Sequence, residues 1–321
     1  MVKFTIIIPV YNRPSELEEL LDSLTHQDYK AFEIIVIDDG SDVEVESQVK
    51  DYSRELNIRF IRKENTGQGF SRNIAAQQAH GEYLVFFDSD CLIPESYFKE
   101  VESFIGQEKI DAWGGPDRAH DSFTVLQKAI SFTMTSVLTT GGIRGKKSHV
   151  GKFQPRSFNM GISKEVFLDM GGFHQTNLGE DVELSMRLLE KGCKTVLIER
   201  AFVYHKRRTS LAQFYKQAFS FGQGRVLSGR KKKGGIKLVH LFPLLFTLSL
   251  MMWPLTWWIH PFLFFFESGG IFLYMMSIGI FAVVESRSLV VGLLSMVTAI
   301  IQLSGYGWGF LIEYVKPVKK K

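Results

Sequence analysis

Cysteine is scarce in this chain of 321 residues, which contains only two, Cys91 and Cys193. Two isolated cysteines cannot form a disulfide framework, and their spacing fits none of the paired patterns of zinc sites. We therefore expect a protein of a reducing compartment, in which both thiols are packing residues. The chain also lacks a G-x-G-x-x-G segment after its first apolar run, which excludes a dinucleotide-binding dehydrogenase.

Acidic residues are absent from residues 206–237, where ten Lys and Arg side chains make the chain strongly basic. The next 77 or so residues are almost purely apolar. A basic block beside a long apolar region is typical of a membrane boundary whose basic side faces the cytoplasm. A nucleic-acid-binding patch would not explain the apolar neighbour. The apolar run at the N-terminus stops at Pro9, so it predicts a first strand and no signal peptide.

Short apolar runs rich in Ile, Val and Phe alternate with segments of helical periodicity. The runs are residues 4–10, 33–38, 58–62, 82–87 and 110–113, and the helical segments are 15–27, 42–56, 69–79 and 95–105. Strand and helix in alternation predict an α/β fold, a mostly parallel sheet with helices on both faces. Ligands of such sheets bind at the carboxyl ends of the strands.

Polar residues follow four of these predicted strands. They are Pro9–Arg13 after the first, Asp38–Ser41 after the second, Asn65–Gly67 with Arg72 after the third, and Asp88 with Asp90 after the fourth. Because the carboxyl ends of parallel strands meet at one edge, these groups are predicted to converge there.

Asp88 and Asp90 end a fully apolar strand, two residues apart. Side chains at i and i+2 of a strand point the same way, so the two carboxylates repel each other unless a cation lies between them. Oxygen ligands suit Mg²⁺ or Mn²⁺. The alternative is a pair of solvated turn residues or helix caps ahead of Pro94. The apolar strand before them favours the metal site.

Five segments in this order resemble the family-2 inverting glycosyltransferases: TIIIPVYNR, IIVIDDGSD, NTGQGFSRN, GEYLVFFDSD and GEDVELSMRL. The similarity covers roughly residues 3–225. The apolar C-terminal region is similar to the membrane-attached bacterial members that build exopolysaccharides, such as the succinoglycan type. The resemblance implies the nucleotide-diphospho-sugar transferase fold called GT-A, with C-terminal transmembrane helices. The Q-x-x-R-W motif of processive synthases is absent, which favours transfer of one sugar per encounter.

The resemblance also implies a donor site. Its nucleotide-sugar-binding residues would be Pro9, Tyr11, Asn12, Asp39, Arg72 and Asp88. Tyr11 would stack on the base, and Asp39 would accept a hydrogen bond from the base or the ribose. Arg72 would lie near the base and phosphates, with a salt bridge to the Asp38–Asp39 turn as its alternative.

Catalysis and metal binding follow from the same resemblance. Asp181 would be the general base, and Glu180 a second catalytic residue or an acceptor ligand. The alternative is that Glu180, Asp181 and Glu183 merely favour a helix N-terminus through its dipole. The metal ligands would be Asp90, Asp88 and His205, although a lone histidine is often structural. Three arginines, Arg207, Arg208 and Arg225, would reach the diphosphate or lipid head groups.

The chain is predicted to have four parts. They are a catalytic domain at 1–208 (nucleotide-binding half 1–106, acceptor half 107–208), an amphipathic, basic interfacial segment at 209–235, a transmembrane region at 236–315, and a basic tail at 316–321. Helices are expected at 123–140 and 210–227, and a strand at 195–204. Residues 238–258 and 262–284 predict two membrane spans. Residues 289–312 predict either a third span or a re-entrant or interfacial segment that keeps the basic tail inside.

These features together predict an inverting glycosyltransferase at the cytoplasmic face of a bacterial inner membrane. Its donor would be a UDP-sugar, its acceptor a hydroxyl of a lipid-linked glycan, and its cofactor Mg²⁺ or Mn²⁺. A polyprenyl-phosphate sugar synthase and an inactive membrane scaffold of the same fold stay open as alternatives. A nucleotidyl transferase would need a basic phosphate-binding loop after the first strand, where only Arg13 stands.

Overall fold

The structure is a computed structural model that describes residues 3–141, 153–174, 179–231 and 236–317. The sequence of residues 144–156, RGKKSHVGKFQPR, predicts a basic loop with two glycines. Most of this loop, and residues 318–321 of the predicted basic tail, lie outside the described residues. The chain divides into two compact units, Met1–His120 with Gly142–Lys206, and Asp121–Gly141 with Arg207–Lys321.

The first unit is built on a seven-stranded sheet of order β3-β2-β1-β4-β8-β6-β9, in which β8 alone runs antiparallel to both of its neighbours. Its strands are Phe4–Val10 (β1), Phe32–Asp38 (β2), Ile58–Arg62 (β3), Tyr83–Phe87 (β4), Ala112–Gly114 (β6), Asn159–Ser163 (β8) and Thr195–Leu197 (β9). Its helices are Pro14–Thr25 (α1), Glu46–Tyr52 (α2), Gln68–Gln77 (α3), Tyr97–Ile105 (α4), Lys164–Asp169 (α7) and Glu180–Glu190 (α8). The predicted mostly parallel α/β fold is confirmed.

Two hydrophobic clusters cover the two faces of this sheet. Alternate residues of β1 pack into different clusters. Ile6 and Ile8 contribute to the cluster that includes residues of α1 and α4, whereas Ile7 contributes to the cluster that includes residues of α3, α7 and α8. Burial on both faces explains why the strand is apolar at every position except Thr5. Each fully buried aliphatic side chain contributes roughly 1.5–3 kcal/mol.

A second, three-stranded sheet consists of Cys91–Leu92 (β5), Val203–His205 (β10) and Asp117–Arg118 (β7), in the order β5-β10-β7. The prediction of one strand at 195–204 is wrong, because those residues form β9 in the large sheet and β10 in the small one. A turn separates them, in which the Ala201 amide donates to the Ile198 carbonyl over 3.1 Å. The turn carries the chain to the small sheet, where His205 pairs with Cys91.

The second unit is helical among its described residues. Its helices are Val125–Thr135 (α5), Val137–Thr140 (α6), Leu211–Lys231 (α9), Phe242–Ile259 (α10), Pro261–Ser286 (α11) and Leu289–Val315 (α12). The helix predicted at 123–140 is interrupted at Ser136, whose extended backbone ends α5 and whose hydroxyl caps α6 by accepting from the Leu138 amide. Residues 238–259, α11 and α12 are each long and apolar enough to cross a membrane.

Helix α9, predicted to be an interfacial amphipathic helix, packs closely on α12. A Cβ added to Gly309 would lie 2.0 Å from the Phe219 carbonyl oxygen, and one added to Gly222 would lie 2.1 Å from the Tyr306 carbonyl oxygen. Only glycine permits backbones to approach this closely, as in helix pairs of membrane proteins. One face of α9 is therefore a packed surface.

At the amino end of β2, Glu33 is a buried carboxylate surrounded by donors. Its oxygens accept hydrogen bonds from the Thr5 hydroxyl at 2.7 Å and the His80 amide at 2.6 Å, and Arg59 lies 3.1 Å away. Burial alone would raise the pKa of Glu33, but the bonds from His80 and Thr5 and the charge of Arg59 outweigh it and lower the pKa. Stability from this group is therefore present above its unfolded pKa of about 4.3 and is lost as the pH falls through the lower, folded value.

We expect Glu33→Gln to lower the melting temperature at pH 7 and to flatten the fall in melting temperature between about pH 5 and pH 3. The measurement is thermal unfolding of the detergent-solubilised protein across that range. Glu46→Gln is the matched control, because the Glu46 side chain is 46 % exposed and pairs with Lys50 one helical turn away. Parallel curves for wild type and Glu33→Gln would contradict the assignment.

Candidate active site

The loops after β1 and β2 are bound to each other through Asn12. Its backbone amide donates to the Ser41 hydroxyl over 2.8 Å. Its side-chain nitrogen donates to the Asp42 carboxylate, and its side-chain oxygen accepts from the Asp42 backbone amide. Asn12 takes a left-handed backbone conformation with φ of 55°, which asparagine tolerates better than most residues. Pro9 is buried near the end of β1. Tyr11, in the loop that follows this strand, is 46 % exposed and available for stacking.

Asp39 is buried and uses both carboxylate oxygens within the protein. One oxygen pairs with the Lys63 ammonium and accepts from the Thr66 amide at 2.9 Å, and the other accepts from the Gly67 amide at 2.9 Å. Burial would raise the pKa of Asp39, but Lys63 and these amides stabilise the charged form and lower it. Asp39 thus holds the turn that precedes α3, and a ligand must share its oxygens with that turn.

Arg72 is fully buried and connects two carboxylates from distant parts of the chain. It donates to Asp88 over 2.6 Å and to Glu180 over 3.3 Å, and Glu180 also accepts from the Gln68 side chain at 2.6 Å. The alternative of a salt bridge between Arg72 and the Asp38–Asp39 turn is wrong. The guanidinium lies instead between the end of β4 and the first turn of α8.

Asp90 lies between two basic side chains. Arg13 Nη1 is 2.5 Å from one of its oxygens, and His205 Nε2 is 3.0 Å from the other. Burial would raise the pKa of Asp90, but the charges of His205 and Arg13 outweigh it and hold the pKa well below its usual range. Behind the imidazole, His205 Nδ1 faces the buried Asp117 carboxylate at 3.8 Å. The small sheet brings these residues together through β10 and β7.

The residues around Asp90 fit a divalent cation. Among the residues that the structure describes, Asp90, Cys91 and His205 offer ligand atoms within 4.8 Å of one another. A carboxylate and an imidazole are suitable ligands for Mn²⁺ and Mg²⁺, whereas the Cys91 thiol is soft and donates towards the Phe158 carbonyl. Asp90 and His205 are therefore the pair that fits, and Asp88 is not part of this group.

Helix α8 presents three acidic residues in its first turn, where the helix dipole favours negative charge. They face different ways. Glu180 is 3 % exposed and points towards Arg72, and Glu183 pairs with Arg187 one turn on. Asp181 faces Arg156, whose Nη1 lies 3.5 Å from its carboxylate.

Four site residues were missed by the predictions from sequence: Arg13, Lys63, Gln68 and Arg156. Each is a long side chain whose partner is far away along the chain, so no local pattern marks it. Arg13 stood within the first motif and was considered only as a phosphate ligand. The predicted Arg207, Arg208 and Arg225 lie in the second unit, and their roles stay predictions.

The amino-acid sequence matches the model of a known protein family. The family model "Glycosyl transferase family 2" matches residues 5–175, which is more than half of the chain. The chain belongs to glycosyl transferase family 2. It is a glycosyltransferase, as the resemblance of its five motifs predicted, and the predicted enzyme class is confirmed.

Three relatives of this glycosyltransferase show how far the similarity extends. Poly(ribitol-phosphate) beta-N-acetylglucosaminyltransferase TarS of Staphylococcus aureus is 37 % identical over 115 residues, 35 % of this chain and only 20 % of TarS. An uncharacterized glycosyltransferase of Haemophilus influenzae is 29 % identical over 221 residues, 65 % of this chain and 70 % of that protein. Glycosyltransferase AglE of Haloferax volcanii is 24 % identical over 242 residues, 69 % and 72 % of the two chains. The chain thus spans a fifth of TarS.

Solved glycosyltransferase structures share the fold. The mannosyltransferase PcManGT from Pyrobaculum calidifontis, in complex with GDP-Man and Mn²⁺, has a TM-score of 0.55 at 21 % identity, over 72 % of this chain and 65 % of that one. S. aureus TarS 1–349 in complex with UDP-GlcNAc has a TM-score of 0.50 at 24 % identity, over 70 % and 66 %. The predicted GT-A fold is confirmed.

Proposed function

We propose that this glycosyltransferase moves one sugar, with inversion, from a UDP-sugar to a hydroxyl of a lipid-linked glycan. The reaction would serve cell-surface polysaccharide synthesis at the cytoplasmic face of a bacterial membrane. The observation that carries the proposal is the position of Asp88, Asp90 and Asp181. The first two follow the end of β4, and Arg72 joins Asp88 to Glu180, the residue that precedes Asp181.

The proposed donor site is the edge formed by the loops after β1, β2 and β4. Tyr11 is exposed for stacking on the base, and Asp39 is held in place beside it by the turn before α3. TarS has been solved with UDP and with UDP-GlcNAc, and PcManGT with GDP-Man. UDP and GDP are therefore the first nucleotides to test.

A divalent cation, Mg²⁺ or Mn²⁺, would be held by Asp90 and His205, and PcManGT was solved with Mn²⁺. Such an ion would neutralise negative charge on the diphosphate that leaves. The chain itself supplies further positive charge at this position, because the Arg13 guanidinium already lies against Asp90.

The proposed base is Asp181. The acceptor hydroxyl oxygen forms a bond to the anomeric carbon, the bond from that carbon to the diphosphate oxygen breaks, and the hydroxyl proton passes to the Asp181 carboxylate. Arg156, which faces Asp181, must yield its position to the incoming hydroxyl or hold the base from one side.

Calorimetric titration of the detergent-solubilised protein tests the proposal. The titrants are UDP, GDP and TDP, each with and without Mn²⁺. Binding of one nucleotide that depends on Mn²⁺ is expected and would name the donor class. If none of the three nucleotides bound, the proposal would be refuted and an inactive membrane scaffold would explain the fold better.

A further inference from the structure

Glu180 is the acidic residue of α8 that faces the protein interior. Only 3 % of it is exposed, and its Oε1 atom accepts from Gln68 at 2.6 Å and faces Arg72 at 3.3 Å. An acceptor sugar has no access to a carboxylate in this position. Its neighbours Asp181 and Glu183 have 17 % and 23 % of their side chains exposed.

Arg72 connects Glu180 to the donor site, because it pairs with both Glu180 and Asp88. The guanidinium is fully buried, and a buried cation is stable only when opposite charge compensates it. Two carboxylates share this task, Glu180 on one side and Asp88 on the other. Asp88 is the more open of the two, because 30 % of its side chain is exposed. The sharing leaves Asp88 partly free for a ligand.

We propose that Glu180 is a positioning residue that acts through Arg72 on the donor carboxylate Asp88. This inference rests on the proposed function. When Glu180 loses its charge, Asp88 becomes the sole counter-ion of the buried guanidinium and is drawn towards it. Donor binding weakens as a result, although Glu180 itself never touches the donor.

The experiment compares Glu180→Gln with wild type in calorimetric titrations with UDP and Mn²⁺. We expect UDP affinity to fall about tenfold, and the KM for the donor to rise while the KM for the acceptor stays the same. Glu183→Gln is the matched control, since Glu183 lies in the same helical turn and pairs with Arg187. It should leave UDP affinity unchanged.

Unchanged UDP affinity in Glu180→Gln, with a large loss of kcat or a raised KM for the acceptor, would make Glu180 a catalytic or acceptor-binding residue and overturn the inference. If Glu180→Gln fails to fold, Gln68→Leu removes the second bond to Glu180 without changing charge. It should weaken UDP binding about threefold, and unchanged affinity would refute the inference. A wild type that binds no nucleotide refutes the proposed function instead.

The carboxyl end of α12 is hydrogen-bonded to the carboxyl end of α9. Arg230 Nη2 donates to the carbonyl oxygens of Glu313, Tyr314 and Lys316 at 2.8, 3.0 and 2.8 Å. The Glu313 carboxylate also meets Gln223 at 3.3 Å and the Lys316 ammonium at 2.7 Å. Arginine thus caps the last turn of α12.

These contacts place both helix ends at the same side of a membrane. Helix α9 carries Lys216 and Arg225 and is not among the three helices apolar enough to cross. Among the described residues, no other helix before Arg230 has that length and composition. Arg230 therefore lies on the same side of the membrane as Leu211, where α9 begins, and the end of α12 lies there with it.

We infer that the described chain crosses the membrane an even number of times, although three helices are long enough. Helix α12 is the one that does not complete a crossing. In its apolar window 39 % of residues are buried within the protein, against 6 % for residues 238–259. Buried residues pack against protein rather than lipid, which is expected of a segment held against α5 and α9.

Labelling of single cysteines with a membrane-impermeant maleimide tests this topology. In a Cys193→Ser background, Pro317→Cys reports the end of α12 and Ile259→Cys the end of α10, both exposed positions. The reagent labels only cysteines on the outer side of a vesicle. We therefore expect one of the two cysteines to label in right-side-out vesicles and the other in inside-out vesicles. Ser210→Cys, at the start of α9, should label with Pro317→Cys. Labelling of Pro317→Cys and Ile259→Cys from the same side would overturn the inference.

Discussion

Asp181→Asn is expected to lower turnover by about 10²–10⁴-fold, the usual contribution of a general base, while UDP affinity stays unchanged. The amide that replaces the carboxylate cannot take the proton of the attacking hydroxyl. Donor binding should persist because, within the part of the chain that the structure describes, Asp181 contacts Arg156 and none of Asp39, Asp88 and Asp90. Single-turnover transfer from labelled UDP-sugar gives the rate, and titration with UDP gives the affinity.

The control for this variant is Glu183→Gln, which removes a charge from the same helical turn and should turn over normally. Near-normal turnover in Asp181→Asn would place the base elsewhere. It would also favour the polyprenyl-phosphate sugar synthase, because a phosphate acceptor is already ionised and needs no base. An acceptor series that includes polyprenyl phosphate therefore separates the two proposed reactions.

Asp90→Asn should abolish the dependence of UDP affinity on Mn²⁺. Asp90 is ionised throughout the working pH range, since Arg13 at 2.5 Å and His205 at 3.0 Å hold its pKa low despite its burial. An amide oxygen without charge is a poor substitute ligand for a hard cation. The measurement is UDP affinity with Mn²⁺ and with chelator, and in the variant the two values should coincide.

Asp28→Asn, which changes an exposed carboxylate outside the site, should keep the response of wild type to Mn²⁺. A variant Asp90→Asn that still bound UDP more tightly with Mn²⁺ would remove Asp90 from the metal site. Donor binding that is lost with and without Mn²⁺ alike would show instead that Asp90 acts on the nucleotide through Arg13.

Strands β1 to β4 were predicted to within one residue. Strands β1, β2 and β4 are buried at every residue and consist mostly of apolar residues, whereas β3 is partly exposed and contains Arg59 and Arg62 among its apolar residues. Their order in the chain predicted which loops meet at the carboxyl edge. Helix α8 was recognised by its apolar period and its terminal glycine. These features depend on neighbours in the sequence, and local patterns report them well.

Strand β8 was not predicted, because Asn159 and Gly161 interrupt its apolar pattern. Asn159 is nonetheless fully buried, where it bonds to Tyr97 and to the Ala201 carbonyl, and Gly161 leaves room for the Trp113 ring. The break at Ser136 was missed for a similar reason, since a single residue with extended backbone ends one helix and caps the next. Contacts between residues that are far apart in the chain explain the burial of Asn159 and the break at Ser136.

The sequence by itself determined the family, the fold class, the carboxylates at the strand ends and the three apolar helices. All of these follow from residue type and spacing along the chain. The tertiary structure alone decided that Glu180 faces Arg72, that His205 and Arg13 flank Asp90, and that Arg230 caps α12. Ion pairs and hydrogen bonds form between any groups that the fold brings within about 3 Å, whatever their separation in sequence.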